Sequence, residues 1–372
     1  MTGVLRVLAA GTYDIGAHPR VRVLVEGLRA HGLVVEEIVE PLRLTTAQRV
    51  EVLRRPSRLP LLGAAILRSW WRLVPRVRAR RRRGPRPAAV LVGYLGHFDA
   101  PLLRLLLRPA PLVLDYLISG AGTAVDRGET GGLKQAALRA LDEVALRSAD
   151  LVLVDTEEHR DALPERHQER AVVVPVGADA RWSDAGARRE PAGSGERLSV
   201  VFYGLFTPLQ GAPVIAEALR LLDGEVTATV VGGGQDGPEV DALLDGVPGV
   251  TRRDWVDSDE LPDLVARHDV CLGIFGTGDK ARRVVPNKVF QGAAARCVVV
   301  TSDTAPQRRA FGDDVVHVPP GDPAALADAL RALAADRDRV RALATAAGDR
   351  AERSFTARGA VETLVARLEA WR

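Results

Sequence analysis

Short apolar runs alternate along this chain with longer segments in which apolar residues recur every three or four positions. Residues 4–10 form one such run, and a loop and a helical pattern that begins at Pro19 follow it. The same order returns at residues 199–203, which precede a loop and a helical pattern that ends near residue 222. Continuous apolar runs are typical of strands buried in parallel sheets, and their alternation with helices predicts an α/β fold. In doubly wound sheets of this kind, ligands bind beyond the carboxyl ends of the strands.

The length of the chain and one change in its composition predict two domains. At 372 residues the chain is long enough for two separate cores. Residues 177–197 are rich in Gly, Ala, Ser and charged residues, which is typical of a linker. We therefore expect a first domain at 1–176, a second domain at 198–353 and a helical C-terminal segment at 354–372.

The stretch 269–303 has the clearest chemical signal. An apolar run at 270–275 leads into a basic loop, and a helix is predicted to start at Asn287. The cations of this loop and helix are Lys280, Arg282, Arg283 and Lys288. Such an arrangement predicts an anion site, because the free backbone N–H groups and the helix dipole face the same space. Only three of the 51 Lys and Arg residues are Lys, and two of these three lie here, which indicates a need for a compact ammonium group.

The motif V-P-N-K-V-F-Q-G-A-A-A at 285–295, followed by V-V-V-T-S-D at 298–303, resembles the nucleotide-sugar segment of family-4 glycosyltransferases (glycosyl transferases group 1). The resemblance implies the GT-B fold, in which two Rossmann-like doubly wound domains face a cleft and a C-terminal helix crosses back to the first domain. It also implies a nucleotide diphosphate sugar as donor and co-substrate, retention of the anomeric configuration, and no metal ion or other cofactor.

The resemblance also assigns donor-binding residues to the loops that would line the cleft. Arg283 and Gln291 stand where the family has paired glutamates, and Gln210 stands where many relatives have Lys. The side-chain oxygen of Gln291 can accept from ribose hydroxyls, and Lys280 and Lys288 can supply the charge that Gln210 lacks. We expect the nucleotide sugar to contact Gly16, Gly204, Gln210, Gly211, Gly233, Lys280, Arg283, Asn287, Lys288 and Gln291.

Polar residues that follow strands of the first predicted domain define a candidate acceptor side. His97, Asp99, Asp115 and Asp126 each come after a predicted strand, and a smaller polar group follows the first strand. Histidine and carboxylate side chains are the usual groups for general acid and base catalysis. We therefore expect His97, Asp99 and Asp126 to be the catalytic residues.

An arginine-rich segment interrupts the alternation of the first domain. Residues 68–86 contain nine Arg and no acid, and Trp70 and Trp71 lie among them. Aromatic residues beside clustered arginines are typical of a helix on an anionic membrane surface, here through Trp70, Trp71 and 78–83. A solvated helical hairpin and a nucleic-acid site are the alternatives. Nucleic acid is the least favoured of the three, because no recognition motif follows.

The overall composition limits the remaining function classes. The net charge is only +3, and both cysteines, Cys271 and Cys297, lie in predicted buried strands, which is typical of a reduced cytoplasmic protein. The favoured function is a glycosyltransferase of cell-envelope, glycolipid or polysaccharide synthesis, cytoplasmic and peripheral on the inner face of the cell membrane. A non-catalytic GT-B module that binds a nucleotide sugar or a partner transferase would explain the missing glutamates. A GT-B epimerase is a more distant alternative.

Overall fold

The computed structural model of the protein describes residues 4–16, 18–42, 59–117, 119–126, 132–189 and 197–371. Its first domain is built on one parallel sheet. The strands of this sheet are β1 (Arg6–Gly11), β2 (Val34–Val39), β3 (Ala89–Val92), β4 (Leu112–Asp115), β5 (Leu151–Val154) and β6 (Ala171–Val173). Their spatial order is β2-β1-β3-β4-β5-β6, so the strand order reverses between β1 and β3.

Helices cover both faces of the first sheet. They are α1 (Pro19–Ala30), α2 (Leu59–Arg83), α3 (Asp99–Leu107), α4 (Gly120–Asp126), α5 (Gly132–Ser148), α6 (Glu157–Asp161) and α7 (Glu165–Gln168). Along β1, Val7 and Ala9 pack into one core cluster, while Leu8 and Ala10 pack into another on the opposite face. Successive side chains of a strand point to opposite faces, and both faces are covered, which explains why the strand is apolar throughout.

The second domain repeats this architecture with a different strand order. Its strands are β7 (Ser199–Phe206), β8 (Thr227–Gly234), β9 (Val250–Arg253), β10 (Val270–Leu272), β11 (Val298–Ser302) and β12 (Val316–Val318). They pair in parallel in the order β12-β11-β10-β7-β8-β9, which reverses between β10 and β7. Helices again cover both faces, and a short 3₁₀ helix spans Gly312–Asp314. The α-helices are α9 (Ala212–Leu222), α10 (Gly237–Leu244), α11 (Leu261–Ala266), α12 (Asn287–Ala294), α13 (Ala305–Phe311), α14 (Pro323–Ala335) and α15 (Arg337–Ser354).

The segment predicted as a linker contains a packed helix, α8 (Ala180–Ala187). The Asp179 side chain caps it by accepting a hydrogen bond from the Arg181 amide. Trp182 is 3% exposed and stacks on Tyr203 of β7, with ring centroids 5.9 Å apart. The Gly- and Ala-rich composition did not predict this helix. A single buried tryptophan, Trp182, holds the helix against the second domain, and composition does not show that contact.

The C-terminal segment returns to the first domain, as predicted. It forms α16 (Ala357–Ala360) and α17 (Glu362–Glu369). Val361, Leu364 and Leu368 are buried in the same core cluster as Leu24 and Leu28 of α1. The two domains and the C-terminal crossing therefore form the architecture that the resemblance implied.

Candidate active site

The carboxyl ends of β7 and β10 lie where the second sheet changes direction. The strand predicted at 270–275 leaves the ladder after Leu272, and the Phe275 amide donates to the carbonyl of Gln210 at 3.0 Å. This bond holds the loop after β10 against the loop after β7. Gly211 is the N-cap residue of α9 and has a left-handed backbone (φ +64°), and a Cβ there would lie 2.5 Å from the Phe275 carbonyl carbon. Ligands of open α/β sheets bind in the crevice formed at such a change of direction.

The ammonium of Lys288 points into this crevice from the first turn of α12. It donates to the side-chain oxygen of Gln210 and lies 4.0 Å from the centre of the Phe202 ring. Lys288 is only 5% exposed, and burial lowers the pKa of its ammonium to about 7. Nearby negative charge stabilises the charged form of a buried ammonium group. The surroundings of Lys288 therefore strongly favour binding of an anion.

Glycines leave the space around this ammonium open. A Cβ on Gly204 would lie 3.0 Å from the Lys288 Nζ atom, and one on Gly232 would lie 1.9 Å from the Gly204 carbonyl oxygen. Gly233 has no heavy atom within 4 Å of its Cβ position. Strands β7 and β8 can approach this closely only as glycine backbone, and the open space beside Gly233, near the carboxyl end of β8, leaves room for a ligand.

Helix α12 begins without a side-chain cap. Pro286 occupies the N-cap position and Asn287 is the first helical residue. Because proline has no side-chain acceptor, it leaves the first amides of the helix for another partner. The helix N-terminus and the Lys288 ammonium therefore add positive potential to one place, as the sequence predicted for an anion.

Gln291 is turned away from this opening. Its side-chain oxygen accepts a hydrogen bond of 2.8 Å from the Tyr203 hydroxyl, and the side chain is 4% exposed. The predicted bond to ribose hydroxyls would have to use the second lone pair of the same oxygen. The ribose role of Gln291 stays a prediction, and Tyr203 is a partner that sequence reasoning missed.

Lys280 and Arg283 lie at contacts between the two domains. The Lys280 ammonium donates to the Thr123 hydroxyl of α4 at 3.3 Å. The Arg283 carbonyl accepts from the Thr156 hydroxyl at 2.5 Å, while the Arg283 side chain is exposed. Both residues therefore border the cleft, and their predicted contacts with the donor remain predictions.

His97 faces a carboxylate that the sequence analysis did not identify. Its Nε2 atom lies 3.2 Å from Oδ1 of Asp142 on α5. Asp142 also accepts from the Ser119 hydroxyl and from the amides of Gly120 and Ala121, so it fixes the start of α4. Burial raises the pKa of Asp142, but the contact with His97 and the Ala121 amide outweigh it and lower the pKa overall.

Asp99 is not paired with His97. Its carboxylate accepts from the Thr12 amide at 2.7 Å, from the Thr12 hydroxyl at 2.8 Å and from the Trp70 indole at 2.8 Å. Asp99 is 1% exposed, and burial raises its pKa. The structure thus uses Asp99 to tie α2 and α3 to the end of β1. The indole N–H of Trp70 is turned inward by this bond, and the contact of Trp70 with a membrane stays a prediction.

The other predicted residues of the first domain lie in different surroundings. Asp115 forms a fully buried ion pair with Arg20, 2.6 Å long, and Arg20 also donates to the Val174 carbonyl. The amide of Gly16 donates to Asp14 in an exposed turn after β1. Asp126 ends α4, but its side chain lies outside what the structure describes. A buried arginine such as Arg20 has no sequence signal of its own.

Comparisons with known proteins agree with this geometry. Residues 197–336 match the family model described as glycosyl transferases group 1. No curated protein matches the sequence of this chain.

Solved structures with similar folds cover nearly the whole chain. HepE from Anabaena, in complex with UDP and glucose, is 16% identical with a TM-score of 0.66, over 98% of this chain and 100% of that one. Sucrose-phosphate synthase from Thermosynechococcus elongatus is 16% identical with a TM-score of 0.71, over 99% and 100%. A UDP-forming α,α-trehalose-phosphate synthase from Burkholderia vietnamiensis is 13% identical with a TM-score of 0.66, over 99% and 97%. Residues 197–336 of the second domain therefore match glycosyl transferases group 1, and the chain as a whole has the GT-B fold of these solved structures.

Proposed function

We propose that the protein transfers a sugar from a nucleotide diphosphate donor, held by the second domain, to an acceptor held across the cleft by the first. The observation that carries this proposal is the buried Lys288 ammonium between Gln210 and Gly204, at the start of α12. In the reaction, the bond between the anomeric carbon and the diphosphate oxygen breaks, and a bond to an acceptor oxygen forms. Negative charge grows on the diphosphate, so a fixed cation and helix N-terminus there stabilise the transition state more than the ground state.

The stereochemistry and the absence of a metal belong to the same proposal. With retention, the leaving diphosphate oxygen takes the proton of the acceptor hydroxyl on the same face of the sugar. Lys288 and the α12 amides supply positive potential that a metal ion supplies in other transferases. Proton NMR of the first product formed would assign the anomeric configuration, and full activity in excess EDTA would support metal independence.

On the acceptor side we propose His97 as the group that orients the acceptor hydroxyl. The contact with Asp142 favours it, because a carboxylate fixes the orientation of an imidazole ring. Asp99 is proposed as a positioning residue, since three hydrogen bonds engage its carboxylate. The catalytic role of Asp126 stays a prediction.

The nucleotide is the first part of the donor to identify. HepE was solved with UDP and with UDP-glucose, so UDP leads the candidates. We would measure thermal shifts and calorimetry with UDP, GDP, dTDP, ADP and their common sugars. A ligand at a thousandfold excess over its Kd stabilises the folded state by about 4 kcal/mol. One nucleotide that raises the melting temperature supports the proposal, and no shift with any of them contradicts it.

A cell-envelope or glycolipid acceptor and a site of action on the inner face of the cell membrane complete the proposal. The arginine-rich helix α2 supports them, because it carries exposed Trp71 near its middle and a run of four arginines at its end. A soluble acceptor would give these residues no role.

A non-catalytic module is the second candidate function. The position of Gln291 favours it, because the family's second glutamate is here an amide bonded to Tyr203. A module would bind the nucleotide sugar without turnover. Release of free nucleotide from bound donor, measured with broken-cell membranes as the source of acceptor, separates the two functions.

A further inference from the structure

Helix α2 has two opposite faces with different surroundings. One face packs into the first domain through side chains that are at most 9% exposed, namely Ile66, Ser69, Leu73 and Val77. The opposite face carries large apolar side chains that are 61%, 64% and 83% exposed, namely Leu61, Leu67 and Trp71. With 3.6 residues per turn, these two sets lie on opposite sides of the helix. The outward apolar side chains therefore have no role in the core of the domain.

The outward face changes from apolar to cationic along its length. Its first half carries the three apolar side chains, and its second half carries the exposed arginines Arg72, Arg78, Arg82 and Arg83. The helix contains no acidic residue. On its side toward the sheet, Arg76 pairs with Glu40 and Arg80 pairs with Glu36, and these are the ion pairs of α2 with acids among the described residues. The outward arginines project from the helix with their charge facing the surroundings.

Contacts of α2 with the sheet show which half lies nearest the cleft. Arg76 donates to the Val39 carbonyl at the end of β2, whereas Arg80, one turn later, bonds to Glu36 near its middle. The helix therefore runs antiparallel to β2. Trp70 bonds to Asp99, which in turn holds Thr12 just beyond the end of β1. The apolar half is thus at the cleft end of the domain, and the arginine half is at the far end.

We propose that the outward face of α2 docks the protein on an anionic lipid bilayer. The apolar half enters the interface between headgroups and acyl chains, and the arginine half binds headgroup phosphates. This inference deepens the proposed function and rests on it for the kind of partner, because an acceptor in the envelope places a bilayer next to the cleft. A nucleic acid would pair with the arginines but would leave Leu61, Leu67 and Trp71 in water. In the part of the chain that the structure describes, no helix is long and apolar enough to cross a membrane, so the contact is with one surface.

The orientation of α2 determines where the cleft lies when the protein is bound to the bilayer, and therefore which acceptors can reach it. Because the apolar half lies at the cleft end, the mouth of the cleft faces the bilayer when that half is inserted. An acceptor anchored in the same bilayer by a lipid reaches the cleft without leaving the membrane.

Vesicle flotation with the full chain tests the docking surface. We would compare vesicles of phosphatidylcholine with vesicles of equal parts phosphatidylcholine and phosphatidylglycerol. The wild type is expected to float with the anionic vesicles only. Leu67→Ser with Trp71→Ser should weaken binding at least about tenfold, and Arg78→Gln with Arg82→Gln about thirtyfold, with a smaller salt dependence.

Matched variants control for general loss of apolar or basic surface. Leu133→Ser with Trp255→Ser removes apolar side chains that are 92% and 77% exposed elsewhere. Arg139→Gln with Arg367→Gln removes two exposed arginines away from α2. Both control variants should bind as the wild type does. Equal losses in α2 variants and controls, or tighter binding to duplex DNA or RNA than to vesicles, would overturn the inference.

Insertion of the apolar half has its own optical test. Lipids with brominated acyl chains should quench part of the tryptophan fluorescence of bound protein, and Trp71→Phe should remove that part while Trp255→Phe leaves it. Quenching that survives Trp71→Phe contradicts the inserted orientation. UDP affinity of the α2 variants should equal that of the wild type. A wild type that binds UDP but does not bind anionic vesicles overturns this inference alone, and a wild type that binds vesicles but no nucleotide overturns the proposed function instead.

Discussion

Lys288 donates a hydrogen bond to the side-chain oxygen of Gln210 at the point where the second sheet changes direction. The family pattern has a lysine in the loop that Gln210 occupies, and this chain brings its cation to the same loop from α12 instead. The ammonium is buried, and its hydrogen-bond partner is a neutral amide. Among the described residues, no carboxylate forms a hydrogen bond with Lys288, so no such carboxylate neutralises its positive charge. This positive charge is the feature of the fold that would stabilise the leaving diphosphate in the proposed reaction.

Nucleotide binding should be coupled to proton uptake. Burial lowers the pKa of Lys288 to about 7, so a large part of the free protein holds it neutral above that pH. A bound diphosphate favours the charged form and raises the pKa. We expect affinity for UDP to fall as pH rises above 7, by at most about tenfold per pH unit for one linked proton. Calorimetry in buffers with different ionisation enthalpies measures the proton directly, and pH-independent affinity would contradict this prediction.

The same group should change the stability of the free protein with pH. The pKa of Lys288 is about 7 when folded and near 10.5 when unfolded, so the unfolded chain binds more protons between these values. Stability contributed by this group therefore rises with pH across that window. The Lys288→Met variant should be more stable than the wild type at pH 7, and the difference should shrink toward pH 10. The matched control is Lys134→Met, which removes an exposed lysine of α5, and the same pH-dependent difference in both variants would contradict the assignment to Lys288.

The pair of His97 and Asp142 should matter for transfer and little for donor binding. Asp142→Asn keeps one acceptor oxygen for the start of α4, replaces the other with an NH2 donor and removes the charge beside His97, so we expect turnover to fall about tenfold to a hundredfold. His97→Gln should have at least the same effect. Donor affinity should change less than twofold in both variants. A loss of donor affinity equal to the loss of turnover would assign these residues to folding of the cleft instead.

Restoring a carboxylate at Gln291 should separate the enzyme from the non-catalytic module. Gln291→Glu keeps an acceptor for the Tyr203 hydroxyl, so the fold should tolerate it. If the protein is an enzyme, donor affinity or turnover should rise several-fold, because a carboxylate accepts stronger hydrogen bonds from ribose. Gln307→Glu, at another buried glutamine, is the control for a buried charge. No transfer by wild type or variant would favour the module.

Docking of the C-terminal segment on α1 should depend on one glycine. A Cβ on Gly27 would lie 2.1 Å from the Ala357 carbonyl oxygen, so Gly27→Ala must push α16 away from α1. We expect a loss of about 1–3 kcal/mol in the free energy of unfolding. Gly63→Ala, in α2 with nothing near its Cβ position, should instead stabilise by about 0.5–1 kcal/mol. Urea denaturation of the two variants measures both values, and equal effects would contradict the close contact.

The fold and the position of Lys288 were predictable from local pattern, whereas the pairing of polar side chains was not. The apolar runs identify β7 and β11. The fourth residue of the V-P-N-K motif is Lys288, and its place at the start of a predicted helix indicates the cation of the site. Both signals are local, because a strand that is buried on two faces and the start of a helix each have a recognisable sequence pattern within a few residues.

The partners of the first-domain side chains depend on packing between distant segments. Asp99 meets Thr12 across 87 residues of chain, and Trp70 across 29. Residues in turns have no periodicity that would show which way they point, so His97 and Asp99 looked alike in sequence. In the structure, His97 lies next to the Asp142 carboxylate, whereas the Asp99 carboxylate accepts a hydrogen bond from the Thr12 amide and anchors that segment. The hydrogen bond between Gln291 and Tyr203 was missed for the same reason, because Tyr203 lies on β7, 88 residues away.

The most direct test of the account is calorimetry of UDP binding to the wild type and to Lys288→Met, with Lys134→Met as the matched control. Loss of a hydrogen bond between a charged donor and the diphosphate corresponds to about 1.5–3 kcal/mol. The account predicts that Lys288→Met binds UDP at least about tenfold more weakly while it stays folded, and that Lys134→Met binds as the wild type does. Equal UDP affinity in all three proteins would contradict the claim that the crevice at Lys288 holds the donor diphosphate.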